Sequence, residues 1–424
     1  MKSLRNPRIA TCALVFLLSA SLLSTFGQVR EERQTPHFLI RYSTSGADAV
    51  PASYVRLVEE SLEDAYEMFI QAGFECFEPS ILVDILHLPV GELGTESLIE
   101  DGSGSWTPLI EIASPSVMSA AIGSFYTSVS FEDLVRSTCA HEIFHVLQDY
   151  ADCTGSGDMS EIAWVEAHAT AVQEFVVPTA NDYLEPALEF LLAPDGVAFF
   201  HRSYDAGIYW VYVLDNYGIQ ILRDIMIASA TYEGWHALDH AFSGYGTSFF
   251  ETWLDFALAL ATGEVPDAKI LSTLVPQVAG SDWWTRNRDP ARIPALTYQQ
   301  TWTGEPLTVH EVTAQNESTY APYLSDDALG APLRVAHSYG IDFLEILNPE
   351  TMGMILAFTG NPETVFGVGV AEQRGGDWSY AAMSETHPHV IASGAEIVRL
   401  VVTRTESGTG TYSFSIRPSE SSGE

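Results

Sequence analysis

His141-Glu142-Ile143-Phe144-His145 is the part of this chain best suited to chemistry. On a helix, residues four apart share a face, so both imidazoles can reach one metal ion, with Glu142 beside it and able to act on a water. Two histidines at that spacing can also simply serve a core, but a third donor follows. Glu166, in Trp164-Val165-Glu166-Ala167-His168-Ala169, lies twenty-one residues after His145. That separation suits a helix, a short return loop and a second helix packed antiparallel beside the first. Two histidines and a glutamate are a standard zinc set that leaves a fourth position for water. Glu161 and Glu174 compete for the third place. Glu161 stands at the helix start, where the dipole favours an acid in any case. Glu174 lies two turns further on, behind the ligands or at the surface. The expectation is one zinc ion per chain on His141, His145 and Glu166. Glu142 would be the general base that takes the water's proton.

These residues resemble the gluzincin zinc metallopeptidases, which follow HExxH with a glutamate ligand about twenty residues later. HEIFHVLQDY at 141–150 is similar to the thermolysin version, and E-A-H-A at 166–169 to the E-G-x-A turn of the aminopeptidase branch. Ser203-Tyr204-Asp205-Ala206-Gly207 resembles that branch's S-Y-D-K-G, whose tyrosine stabilises the oxyanion. The resemblance implies Tyr204 as a transition-state donor. It also implies a catalytic domain of mixed sheet plus helical subdomain. Two departures stand out. Thr170 occupies the place of the aspartate that orients a histidine in thermolysin-like enzymes. No G-x-M-E-N segment is found to grip a free amino terminus, which favours an endopeptidase.

The elements that must position these residues follow from periodicity. Residues 37–43, 81–88 and 107–113 read as strands, and 51–72 as an amphipathic helix closed by Gly73. Ser130 with Asp133 opens the motif helix, expected to reach about Tyr150, and a second helix is expected over about 160–176. Further helices are expected near 182–192, 204–217, 218–229, 233–242 and 247–262. Short alternating runs at 331–336, 341–347, 353–359, 365–371, 396–403 and 411–416 predict an all-β sandwich. The fold class is therefore α+β: a metallopeptidase domain over 28–290, then a β-sandwich over 295–424. Leu109–Ala113 is a candidate to pair with an extended peptide by strand addition. The role of the sandwich is open: retention, substrate presentation or stabilisation.

Composition narrows the class. With 56 acidic and 19 basic side chains, a formal charge of −37 excludes a binder that neutralises nucleic-acid phosphates. Residues 1–27 place Lys2, Arg5 and Arg8 before an apolar run from Ile9 to Leu23, and read as a signal peptide cleaved near Gly27. Export is expected, extracellular or periplasmic, with no membrane insertion after cleavage. Of the remaining cysteines, Cys76 and Cys153 are the better pair for a disulfide. His236 and His240 repeat the four-residue spacing without an adjacent carboxylate, and read as an ordinary helix. His168 reads equally as a cleft residue or a packed one, and Asn316 heads a glycosylation sequon. The partner expected is a protein or peptide substrate. The main alternative is a zinc-retaining, peptidase-like surface binding or adhesion protein without turnover; a zinc hydrolase of non-peptide bonds also stays open.

Overall fold

The computed structural model describes residues 30–46, 49–77, 81–89, 91–100, 106–124, 129–157, 162–192, 194, 198–271, 307–308, 333–334, 339–346, 354–391, 393–405 and 411–418. The signal segment 1–27, Glu161 and Asn316 lie outside them. The chain mixes helix and sheet, as the α+β reading requires. It begins with β1 (Arg30–Gln34), β2 (Phe38–Ser43), α1 (Ala52–Gln71), β3 (Ile81–Leu86), β4 (Gly94–Glu100) and β5 (Trp106–Ala113). The sheet order is β1-β2-β3-β5-β4, with β2, β3 and β5 parallel and β1 and β4 antiparallel at the edges. α1 buries Val55, Val58, Leu62, Ala65 and Phe69, the predicted face. Gly73, at φ +92°, turns the chain out of it.

Strand addition at Leu109–Ala113 is corrected here. β5 is hydrogen-bonded on both sides, to β3 and β4, so it has no free edge. Among the described residues the outermost strand on this side is β4, which periodicity does not reveal because neither face of this strand is fully buried.

α2 (Pro115–Ser124) leads to the motif helix α3 (Phe131–Thr154), capped by the Ser130 hydroxyl accepting from the Asp133 N–H at 3.1 Å. Gly155, at φ +69°, ends α3 one turn beyond the expected Tyr150. There follow α4 (Ile162–Val176), α5 (Leu184–Leu192), α6 (Gly207–Tyr217), α7 (Gln220–Ser229), α8 (Trp235–Ser243) and α9 (Phe249–Thr262). No helix among the described residues is long and apolar enough to cross a membrane. Cys139 is buried in α3, and no disulfide joins Cys76 to Cys153, against expectation.

The C-terminal strands are β6 (Leu307–Thr308), β7 (Leu333–Arg334), β8 (Ile341–Ile346), β9 (Met354–Gly360), β10 (Phe366–Arg374), β11 (Asp377–Met383), β12 (His389–Ile391), β13 (Ile397–Arg404) and β14 (Thr411–Pro418). They form two antiparallel sheets, β11-β10-β13-β8 and β12-β9-β14-β6, with β7 also on β14. Leu344, Phe358, Val370, Leu400 and Phe414, drawn from both sheets, share one apolar cluster. The first sheet also packs on α9. Phe343, Ala371 and Val401 belong to the core of the helical part, and the Trp253 indole N–H donates to Thr403 Oγ1 at 3.1 Å.

Candidate metal centre

Helix α3 turns His141 and His145 to one side, and α4 brings Glu166 against them. The two Nε2 atoms stand 3.0 Å apart, and Glu166 Oε2 lies 3.4 Å from one and 3.5 Å from the other. Three donors each about 2.0–2.1 Å from one tetrahedral zinc would stand about 3.3 Å from each other. The donor set therefore fits the ion in both chemistry and spacing. Among the described residues no other three His, Cys, Asp or Glu side chains converge this closely.

Two glutamines hold the imidazoles. His145 Nδ1 lies 2.7 Å from Gln148 Oε1, and Gln148 Nε2 donates to the Val165 carbonyl at 3.1 Å. That second bond fixes the amide, so its oxygen faces the ring and Nδ1 carries a proton; in the neutral imidazole the Nε2 lone pair is then left on the side of Glu166 for a metal. His141 repeats the pattern: Nδ1 is 3.2 Å from Gln173 Oε1, and Gln173 Nε2 donates to Asp182 Oδ2 at 2.7 Å. Thr170 does other work in place of the absent aspartate. Its hydroxyl donates to the Glu166 carbonyl at 2.8 Å, and its methyl would meet a Cβ at Gly207 at 2.8 Å, so α6 begins hard against α4.

That approach carries in Tyr204. The turn is braced from below by Arg202, whose guanidinium pairs with Asp205 at 2.5 Å, while Asp205 accepts the Ser203 N–H at 3.0 Å. Tyr204 remains 47 % exposed and stacks on His141, ring centroids 5.9 Å apart and planes within 10°.

Glu142 is 4 % exposed, and its Oε2 is buried without a hydrogen-bond donor. Burial raises its pKa; the two histidines oppose this and Glu166 adds to it. Glu166 also feels burial, but hydrogen bonds and charge from both histidines overcome it and hold the carboxyl well below its usual range. Burial alone would lower His145; the Glu166 hydrogen bond, with the charges of Glu142 and Glu166, raises it to about 9. The centre opens into a cleft of about 390 Å³ that also touches β4 through Gly94 and Glu96.

Every described candidate can now be placed. His141, Glu142, His145, Glu166 and Tyr204 share this cleft. Glu174 does not: its Oε2 accepts the Asn181 N–H at 3.1 Å, and burial with the neighbouring Asp267 and Asp182 raises it to about 8. His168 lies in the core, edge-on to Trp210 at 4.1 Å, and burial lowers it to about 3. His236 and His240 rest on Trp235 and Tyr232 respectively. Sequence reasoning misses Gly94, Gln148, Gln173 and Asp182. Only Gln148 carries a signal, three residues after His145 and therefore on its face of the helix. No family model matches the chain, and no curated protein matches its sequence.

Proposed function

We propose that this chain is an exported zinc-dependent metallopeptidase of the gluzincin type, cleaving internal peptide bonds. The observation that carries this reading is the convergence of His141, His145 and Glu166 with the donorless oxygen of Glu142 in one cleft. His141, His145 and Glu166 would hold a zinc ion, which when bound would supply an acidified water and polarise the scissile carbonyl. Glu142 accepts the water's proton and later hands it to the departing amine; its raised pKa suits a group that must serve as base and then as acid. Tyr204, against the His141 ring, is the donor to the oxygen on which negative charge develops. The edge of β4, outermost among the described strands of its sheet, offers backbone groups to an extended peptide beside Glu142. Export rests on the pattern of residues 1–27.

The test is metal analysis paired with cleavage of a peptide library. The wild type should hold about one zinc per chain and lose cleavage on chelation. Glu142→Gln should keep the metal and lose about 10²- to 10⁴-fold in turnover. Zinc binding without cleavage of any peptide would instead favour a binding protein, and normal turnover by the variant would remove Glu142 from the mechanism.

A further inference from the structure

The cleft is lopsided in charge. Besides Glu142 and Glu166 it is lined by Glu96, Asp149 and Asp152, with no lysine or arginine among its described residues. Glu96 Oε1 is buried and receives no donor, and the Asp149 carboxyl adjoins it. Two carboxyl groups so placed must share a proton or be bridged by a cation. Burial, and then the charge of Asp149 beside it, push the Glu96 carboxyl above the usual carboxylate range. A separate observation marks the cleft as a ligand site: Glu142, 4 % exposed, presents an oxygen there that no protein donor satisfies.

Spacing selects the kind of cation. Among the described residues no three of these acids bring their oxygens together as His141, His145 and Glu166 bring their donors, whereas a larger organic cation with several N–H donors can reach carboxylates spread along one wall. Asp149 and Asp152 follow His145 on α3 by four and seven residues, about 6 and about 10 Å along the axis. The α-amino group of a peptide lies two bonds from its own carbonyl and cannot span that distance from the reacting centre. The long stem of lysine or arginine can, with Val165 in the same wall to receive its methylenes.

We propose that this cleft binds a lysine or arginine side chain of the substrate, held by Glu96, Asp149 and Asp152, a specificity that rests on the peptidase reading above. The full-length zinc-loaded protein is offered N-acetylated, internally quenched peptides that differ only in lysine, arginine or norleucine at each position near the cut. At one position the cationic residues should exceed norleucine at least tenfold in kcat/KM, and the ratio should collapse toward one in Glu96→Gln/Asp149→Asn. No cationic preference at any position overturns the proposal. So does a preference that survives the double substitution, or one confined to peptides with a free amino terminus. A second measurement is independent of cleavage. Nα-acetyl-argininamide should bind the wild type, and at least tenfold more weakly the double variant; equal binding overturns the subsite. If the amide binds in this Glu96-dependent way while no peptide is cleaved, the peptidase reading falls and the cation site stands.

Discussion

At the scale of single residues, the geometry turns on one missing carbon. A Cβ at Gly94 would lie 2.5 Å from Glu142 Oε1 and 2.7 Å from its Cγ, so the absence of a side chain on β4 is what lets the base lie where it does. Gly94 has no positive φ to demand glycine, and the requirement is close approach alone. Gly94→Ala must therefore displace Glu142, the less mobile partner being backbone. Misplacement of a catalytic group by about 1 Å can cost about 100-fold, so kcat should fall on the order of 10- to 100-fold. Zinc content should stay at the wild-type level, because the atoms an added Cβ would meet first all belong to Glu142. Turnover and metal stoichiometry measured on the same preparation check this; an unchanged kcat would show that Glu142 can act from elsewhere. His141 and His145 are legible as a pair in the sequence because a four-residue spacing on a helix fixes a shared face. The Gly94 contact is not, since it joins residues 48 apart through a strand that shows no pattern.

Elements were legible in proportion to how one-sidedly they are buried. α1 and the inner strands carry a clean apolar period, whereas β1 is exposed along its whole length and β4 never fully buried, so neither shows alternation. Between α3 and α4, orientation depends on amides that no motif announces. Gln173→Met removes the acceptor for His141 Nδ1 and should weaken zinc about 10- to 100-fold, read by competition with a chelator of known affinity. An unaltered affinity would mean that the ring is held by packing alone. The same helix pair makes metal-free stability depend on pH. His145 is raised to about 9 in the fold, against about 6.5 for an unperturbed histidine. Its contribution is complete below the unfolded value and lost as pH climbs through about 9. Glu166, held below the usual carboxylate range, contributes throughout that window and loses its effect only at acid pH. The chelated protein should thus lose Tm from pH 6.5 to 9 more steeply than the zinc-loaded one, in which a metal-bound His145 would stay neutral across that window. Calorimetry with and without chelator gives the comparison, and parallel curves would remove His145 as the cause.

For the whole molecule, the two-domain division read from periodicity does not say how closely the parts are joined. Trp253, fully buried on α9, packs among Phe199, Tyr209, Phe249 and Phe256 from the helical part and Tyr339 from the β region. Its N–H reaches Thr403 on β13, and Arg399 on the same strand bonds the Ala261 carbonyl at the end of α9 while lying over Trp378. Gly367 and Gly369 leave room for Phe250 and Leu258, where a Cβ would come within 3.0 and 2.8 Å. A surface shaped so closely, with fully buried aromatics on it, is an interior. Of the three roles open to the sandwich, stabilisation is therefore the one with a physical basis. A chain ending at residue 290 would expose this face of α9, and should be recovered unfolded or aggregated. Trp253→Ala in the full chain should cost about 3–5 kcal/mol, and Thr403→Val, which leaves the buried N–H without a partner, about 1–3 kcal/mol. Denaturant unfolding of the three proteins decides the matter: a truncated chain that folds cooperatively, takes up zinc and matches the full-length midpoint would make the sandwich an appendage after all.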